Sequence, residues 1–277
     1  MKEEKPKPDK LEKLLDKHNL TEKELNNIIK QSSQPKKEIG NVHVHYWGTK
    51  HARFGIISDT HIGHEMFRTD IHEASKYQFK KEKVDCIYHA GDIIEGMSNR
   101  EGHIYELEKL GVTPQVKYAS EIISDYDKEV YFIAGNHDQW AEKKSNQGIK
   151  VGEYLESLCK NAHYLGDMKA QIKLADNVKM DLTHEGTSSY ALSYSSQKRI
   201  NAIEPGKKPH IKVNGHIHKA MYMFYRNIHS LEAGTLCGQT DFMAMKGSPA
   251  HTGFWILDIY WNKKGLNKVK PTFFPFY

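Results

Sequence analysis

The first half of the chain alternates short apolar runs with longer amphipathic stretches. The apolar runs lie at 54–58, 84–90 and 130–134, and each one ends in polar residues. Between them, apolar residues recur at helical spacing over about 69–82 and 103–127. Strand, helix, strand, helix, strand is the pattern of a parallel α/β layer, and we predict such a layer here.

Strands dominate the second half of the chain. One more helix is predicted over about 149–160, and the strand-like segments after residue 169 read AQIKL, VKMDLT, HIKVNG, AMYMFYR, HSLEAG and FWILDIYW. Ahead of the first layer, Val42, Val44 and Tyr46 alternate with polar residues, which predicts a further strand. We therefore predict a second sheet that packs on the first.

The first 40 residues have a different pattern. They predict two short helices, the second of which begins with the capping box of Thr21 and Glu24. The segment SSQPKKEIG at 32–40 is typical of a linker. We predict a helical hairpin with its linker over 1–40 and one main domain over 41–277. The hairpin either binds nucleic acid or a partner, or it packs on the main domain or pairs with a second copy to give a homodimer.

Composition narrows the class of protein. Of the 277 residues, 38% are hydrophobic and 27% charged, as in many globular proteins. No apolar run approaches the roughly 20 residues that a membrane helix needs, and the start MKEEKPKPDK is unlike a secretory signal peptide. The three cysteines form no CxxC pair, so we expect a cytoplasmic protein without a disulfide framework. A net charge of +5 permits an anionic partner.

Five polar clusters stand where predicted strands end. Because ligands of open α/β sheets bind beyond the carboxyl ends of the strands, these clusters can converge on one cleft. Carboxylate, imidazole and amide groups suit a borderline or hard divalent ion. Seven such groups fit two ions if one carboxylate bridges them. The seven candidate ligands are Asp59, His61, Asp92, Asn136, His184, His216 and His218.

The spacing of these groups has a physical basis. Alternate residues of a strand point the same way, so Asp59 and His61 can face one ion if the chain stays extended. The same holds for His216 and His218. Glycines precede three of the candidate ligands, where they allow sharp turns and a close approach of the backbone to metal or phosphate.

The order D-x-H, G-D, G-N-H-D, H, G-H-x-H resembles the calcineurin-like metallophosphoesterase superfamily over about residues 53–220. The resemblance implies an α/β fold, a two-sheet α/β/β/α sandwich, with the short N-terminal helical appendage outside it. It also implies two divalent metal ions, of which Mn²⁺ is our first expectation and Zn²⁺, Fe or Ni²⁺ are alternatives. One ion would be held by Asp59, His61, Asp92 and His218, and the second by Asp92, Asn136, His184 and His216. His137 would act on the leaving oxygen as a general acid, and Asp138 would orient it.

The residues within the motifs help to decide which class of phosphoester is the substrate. Protein phosphatases of the superfamily carry G-D-x-x-D-R-G, whereas residues 91–97 read GDIIEGM and lack the arginine. The motifs DTHIG and GNHD are similar to those of double-strand-break repair nucleases and polymerase small subunits, although the chain lacks room for the long capping domain of those proteins. The segment GQTDFMAMKGSPAHTGFW resembles phage-type and archaeal phosphoesterases. We expect hydrolysis of phosphodiester bonds in DNA or RNA. A small-molecule phosphodiesterase or phosphomonoesterase, and a non-catalytic accessory subunit, are the alternatives.

Candidate substrate contacts rest on residue type. The repair nucleases have a further histidine soon after D-x-H, a place that His64 can take. Arginine forks suit phosphate oxygens, and the basic candidates are Arg68, Arg100, Lys198 and Arg199. Tyr190 and Tyr194 are candidates for stacking on bases, although tyrosines at helical spacing more often serve packing.

Overall fold

The computed structural model describes residues 21, 42–45, 47, 50–143, 148–186 and 191–277. Apart from Thr21, the predicted hairpin and linker lie outside the described residues, and so does Tyr190. The domain boundary near residue 40 stays a prediction. The described residues from Val42 onward belong to one compact unit.

Twelve strands form two sheets in the described part of the chain. They are β1 (Val42–Val44), β2 (His51–Ile57), β3 (Cys86–His89), β4 (Val130–Ala134), β5 (Ala162–Asp167), β6 (Lys169–Ala175), β7 (Val178–Thr183), β8 (Ile211–Asn214), β9 (Ala220–Tyr225), β10 (Ile228–Ala233), β11 (Gly253–Asn262) and β12 (Gly265–Pro275). The first sheet has the order β12-β11-β2-β3-β4-β5, and the second has the order β1-β6-β7-β8-β10-β9. Strands β2 to β5 run parallel, as the alternation with helices predicts.

Helices cover the outer faces of both sheets. They are α1 (Thr69–Lys81), α2 (Val112–Ser124), α3 (Asn136–Lys143), α4 (Val151–Leu158), α5 (Leu192–Asn201) and α6 (Asp241–Met245), with one 3₁₀ turn at His103–Glu106. Helices α1 to α4 share a core with the first sheet, and α5 lies on β9 and β10. No helix within the described ranges is long and apolar enough to cross a membrane.

Strand β2 shows how the sequence divides the two cores. Phe54 and Ile56 point into the layer between the sheets, whereas Ile57 points into the layer under the helices. Gly55 lies on the helix side, where a Cβ atom would come within 2.8 Å of the Phe79 ring of α1. The alternation of side chains along a strand thus gives β2 one face for each layer. The predicted α/β/β/α sandwich is confirmed.

Some predicted elements differ from the structure. The predicted helix over 103–127 is wrong in its first part, because Gly111 adopts φ 90 and α2 begins only at Val112. The pattern missed β12, whose Lys268, Lys270 and Pro271 interrupt an apolar run. Lysine and proline are typical of an edge strand such as this one, where they discourage pairing with other chains. It also missed β5, α3, α5 and α6.

Candidate metal centre

The structure brings all seven candidate ligands to one place, just beyond the ends of β2, β3, β4, β7 and β8. Two groups have ligand atoms within 4.8 Å of one another, namely Asp59 with His61 and His218, and Asp92 with His184 and His216. Asn136 joins the second group, since its Oδ1 lies 2.6 Å from His216 Nδ1.

Asp92 connects the two groups. Its Oδ2 lies 2.9 Å from Nε2 of His184 in one group and 3.9 Å from Nε2 of His61 in the other. A carboxylate between two sets of ligands is the arrangement that a bridging residue of a two-ion centre requires.

The backbone at the centre is not extended. Five of the candidate ligands adopt a left-handed conformation, namely Asp59 (φ 50), His61 (φ 47), Asp92 (φ 52), His216 (φ 79) and His218 (φ 53). The extended geometry on which the predicted facing of D-x-H and H-x-H toward one ion depends is therefore not present. Each such residue costs on the order of 1–3 kcal/mol, and such strain concentrates at functional sites. Here tertiary hydrogen bonds hold it, among them His216 N–H to the Asp59 carboxylate at 3.0 Å and His61 N–H to Asp92 O at 3.1 Å.

The glycines of the motifs act mainly by leaving space. A Cβ atom on Gly135 would lie 2.2 Å from Asp92 Oδ1, and one on Gly215 would lie 2.8 Å from His184 Nδ1. Gly91 also needs its conformation, because its φ is +95. The three glycines therefore leave room for the side chains of the ligands, and a left-handed turn is required only at Gly91. The predicted close approach of the backbone to metal or phosphate stays a prediction.

Imidazole nitrogens at the centre are poorly satisfied by protein groups. His218 Nδ1 is buried without a hydrogen bond among the described residues, and buried His184 Nε2 has the Asp92 carboxylate as an ion-pair partner at 2.9 Å. The Nε2 atoms of His61 and His218 face each other at 2.9 Å. Buried polar atoms normally find partners. Unsatisfied imidazole nitrogens grouped around two carboxylates fit a site that takes cations.

The charges of the centre support the same fit. Burial lowers the pKa of His216 to about 4, so this ring is neutral. Burial raises the pKa of Asp59, but His218 outweighs it, and the pKa falls to about 2. Burial lowers the pKa of His184, but the charges of Asp92 and Asp59 raise it to about 10. The carboxylates are thus ionised, as metal ligands must be. Their negative charge keeps the His184 ring protonated, and a bound metal ion would supply that positive charge instead.

Asp138 lies at a different place from the one we expected. Its carboxylate accepts hydrogen bonds from the backbone N–H groups of Ile93, Ile94 and Gly135 at 2.8–3.2 Å. Consecutive residues of a helix point about 100° apart, so Asp138 turns away from the His137 ring on α3. Asp138 therefore fixes the loop after Asp92 instead of orienting the imidazole.

Glu95 is the functional residue that sequence reasoning missed. Its buried carboxylate accepts hydrogen bonds from His61 Nδ1 at 2.6 Å and His103 Nε2 at 2.7 Å, and lies 3.4 Å from His137 Nδ1. Its carbonyl oxygen accepts a hydrogen bond from that same Nδ1 at 2.8 Å. The available signal was an acidic residue three positions after Asp92. Glu95 connects a candidate metal ligand with the candidate general acid.

Two of the predicted substrate contacts line the cleft. His64 and Arg100 belong to its wall, and Arg100 forms two hydrogen bonds to the Glu106 carboxylate at 2.8 and 2.6 Å. The guanidinium is thus held in place and its charge is partly balanced. Lys198 and Tyr194 are exposed on α5, and the cleft wall, as far as the described residues form it, does not include them.

The other two arginines form ion pairs elsewhere. Arg68 binds Asp70 through two hydrogen bonds of 2.7 Å on the surface. Arg199 is buried, with hydrogen bonds to Glu232 at 2.5 Å and to the Glu185 carbonyl at 3.0 Å. Neither is among the described residues that line the cleft. Their geometry indicates a structural role, unlike the predicted contact with phosphate.

An open cleft of about 830 Å³ lies above the candidate ligands. A cleft of this size can hold more than a single phosphate group. Besides ligands, its wall contains the general-acid candidate, two large aromatic residues and three cations, namely His137, Trp140, Phe242, Arg100, Lys219 and Lys246.

Comparison with curated proteins finds small subunits of DNA polymerase II. The DNA polymerase II small subunit of Methanothermobacter thermautotrophicus is 25% identical over 231 residues, which cover 67% of this chain and 48% of the relative. That of Archaeoglobus fulgidus is 24% identical over 241 residues, which cover 70% and 49%. The chain spans about half the length of these curated relatives.

Solved structures with a similar fold include phosphoesterases and the vacuolar sorting protein Vps29. An archaeal phosphodiesterase matches with a TM-score of 0.48 and 16% identity, covering 80% of this chain and 99% of that one. The phosphoesterase Yfce from E. coli matches with a TM-score of 0.44 and 16% identity, covering 79% and 98%.

The family comparison covers the centre itself. The calcineurin-like phosphoesterase profile matches residues 52–220, more than half of the chain, and this range contains every candidate ligand. Members of this family bind divalent metals. On the match, the two-sheet fold and the clustered ligands, the chain belongs to the calcineurin-like phosphoesterase family.

Proposed function

We propose that this chain is a metal-dependent phosphodiesterase that binds two divalent ions and cleaves phosphodiester bonds in nucleic acid. The observation that carries the proposal is the intact set of seven candidate ligands, with Asp92 of one group close to His61 of the other and His137 in the same open cleft. A phosphoester placed across the two groups would have His137 on one side of its phosphorus atom.

Asp59, His61 and His218 form one group, and Asp92, His184 and His216 form another, which Asn136 joins. In the proposed division each group holds one ion, and Asp92 serves as a ligand of both. Two divalent ions, when bound, neutralise phosphate oxygens and lower the pKa of the attacking water.

The acids around His137 favour its protonated form, which a general acid needs. Burial lowers its pKa, but the charges of Asp92 and Glu95 outweigh this and raise the pKa to about 9. Its Nδ1 donates a hydrogen bond to the Glu95 carbonyl oxygen, which fixes the ring and leaves Nε2 to face the substrate. From there Nε2 can donate a proton to the leaving oxygen, an effect of about 10²–10⁴-fold in rate.

Three features favour nucleic acid over a small phosphoester. The cleft is larger than a phosphate group needs, and Lys219 and Lys246 in its wall form no ion pair with an acid of the described chain. The net charge is +5. The named relatives are subunits of a DNA polymerase. Their name also makes an accessory subunit without catalysis the second candidate, but the intact ligands and His137 favour an enzyme.

The test compares substrates on one Mn²⁺-loaded preparation. We expect bis(p-nitrophenyl) phosphate to be hydrolysed faster than p-nitrophenyl phosphate, and an oligonucleotide to be cut in a metal-dependent way. Asp92→Asn, which removes the shared ligand, should abolish both activities. Turnover of cyclic or free nucleotides with no cutting of oligonucleotides at low salt would support the small-molecule alternative. Two bound ions without any turnover would support an accessory subunit.

A further inference from the structure

We propose that Phe242, with Arg100 and Lys246 beside it, is a stacking platform for one base of an unpaired nucleic-acid strand, on the leaving-group side of the metal centre. This inference rests on the proposed function, and it narrows the substrate to a single strand or an unpaired end.

Phe242 is held in an exposed position by the helix that carries it. Thr240 Oγ1 accepts a hydrogen bond from Met243 N at 3.2 Å and caps α6, and the Met243 side chain is buried as an anchor. Phe242 itself is 45% exposed and lines the cleft. A large aromatic ring that a short capped helix presents to a cleft offers a π-face, which is the feature on which single-stranded nucleic acids stack.

Two cations lie over the ring. Arg100 Cζ lies 5.5 Å from the ring centroid, and Lys246 Nζ lies 5.8 Å from it. Glu106 holds the Arg100 guanidinium through two hydrogen bonds, so this cation has a fixed position over the ring. Phe242 remains 45% exposed, and this exposed part is left for a base. Lys246 is exposed, and no acid of the described chain pairs with it, so it can reach the phosphate that joins a stacked base to the next nucleotide.

A continuous wall connects the platform with the general acid. The rings of His137 and Trp140 stack with centroids 3.8 Å apart, and the rings of Trp140 and His103 lie 6.3 Å apart. His103 N–H donates to the Arg100 carbonyl at 3.1 Å, and Arg100 lies against Phe242. Because His137 would protonate the leaving oxygen, the nucleotide carrying that oxygen lies on the same side as Phe242.

The geometry favours an unpaired base. Inside a duplex both faces of a base are covered by its neighbours, so a protein ring can stack on a base only in a single strand or at an unpaired end. A duplex substrate would have to open before its base reached Phe242.

The experiment measures cleavage of two single-stranded DNA oligonucleotides by the Mn²⁺-loaded full chain. One oligonucleotide is intact, and the other is abasic at the nucleotide on the leaving-group side of the cut. Loss of one stacking contact should raise KM for the intact strand about 5- to 150-fold in Phe242→Leu. Phe242→Trp, which keeps a ring, should retain tight binding. On the abasic strand, wild type and Phe242→Leu should have the same KM.

Met245→Ala is the matched control, because Met245 lies on the same helix and is 74% exposed, yet is not among the described lining residues. It should behave as wild type, and all variants should keep the wild-type Tm and metal content. Equal effects of Phe242→Leu on the intact and abasic strands would overturn the platform while leaving the proposed function in place. A wild type that hydrolyses bis(p-nitrophenyl) phosphate but cuts neither strand would overturn both.

Discussion

Replacing Glu95 with glutamine tests how the centre is held. Ser98 N–H donates to His103 Nδ1 at 3.2 Å, so the proton of that ring is on Nε2, which donates to Glu95 at 2.7 Å. His61 must present an unprotonated Nε2 to a metal ion, so its proton is on Nδ1, which donates to Glu95 at 2.6 Å. Both carboxylate oxygens must therefore accept, and a glutamine amide has only one oxygen.

The size of the expected loss in metal affinity follows from the buried amide group of Glu95→Gln. Its –NH₂ would face an imidazole N–H, and a buried donor without an acceptor costs about 1–3 kcal/mol. If His61 instead moves its proton to Nε2, it can no longer bind a metal through that atom. Loss of such a supporting contact typically weakens metal binding about 10- to 100-fold. We expect that loss at one of the two sites, since the proposed division of ligands assigns His61 to only one of the two ions.

Calorimetric titration of metal-free protein with Mn²⁺ measures this effect directly. Glu106→Gln is the matched control. It removes a carboxylate from the same cleft, but this carboxylate binds Arg100 and none of the candidate metal ligands. Adding His103→Leu to Glu95→Gln removes the competing donor, so the glutamine oxygen can accept from His61 and binding should recover. Wild-type affinity at both sites in Glu95→Gln would refute the proton assignment, and so would a double variant without recovery.

Three further outcomes are expected. His137→Ala should keep two bound ions but lose about 10²–10⁴-fold in turnover of a diester with a poor leaving group; wild-type rates on that substrate would exclude its acid role, whereas nitrophenolate needs little protonation and could hide the loss. Arg199→Met should lower the free energy of unfolding in urea by about 3–5 kcal/mol, because buried Glu232 loses its charged partner and keeps the neutral donors Ser196 and Asn214. Adding Glu232→Gln should recover part of this loss, and an unchanged midpoint would contradict the structural role. Binding of single-stranded DNA should weaken steeply between low and physiological salt and weaken further without residues 1–40; binding that ignores salt would contradict a phosphate-contacting surface.

The location of the centre could be predicted from the sequence because it depends on strand ends. Asp59, Asp92 and Asn136 follow the parallel strands β2, β3 and β4, whose carboxyl ends meet at one edge. His184 and His216 follow β7 and β8 of the other sheet, which also pair in parallel. A local pattern of apolar runs and polar ends was therefore enough to group them.

The supporting contacts could not be predicted, since they join residues far apart in the chain. Glu95 meets His61 across 34 positions and His103 across 8, and Arg199 meets Glu232 across 33. Residue type alone suggested that arginines bind phosphate, but the partner that each one finds is decided by tertiary packing. The left-handed backbone at His216 likewise depends on a hydrogen bond to Asp59, 157 positions away.

Gly135→Ala tests whether space at the bridging carboxylate limits metal binding. The new methyl group would lie 2.2 Å from Asp92 Oδ1 and 2.4 Å from Asp92 N, closer than van der Waals contact allows, so Asp92 must move away from one of the two ligand groups. We expect the variant to fold but to bind fewer than two Mn²⁺ ions per chain.

Ligand binding at 100 times Kd stabilises a native protein by about 2.7 kcal/mol, so added Mn²⁺ should raise Tm clearly in wild type and much less in Gly135→Ala. Gly206→Ala is the control, because open space surrounds a Cβ atom there; it should keep the full Mn²⁺-dependent rise even if its own positive φ lowers the starting Tm. An equal rise and two bound ions in Gly135→Ala would show that Asp92 tolerates displacement, and the bridging position would then not depend on the glycine.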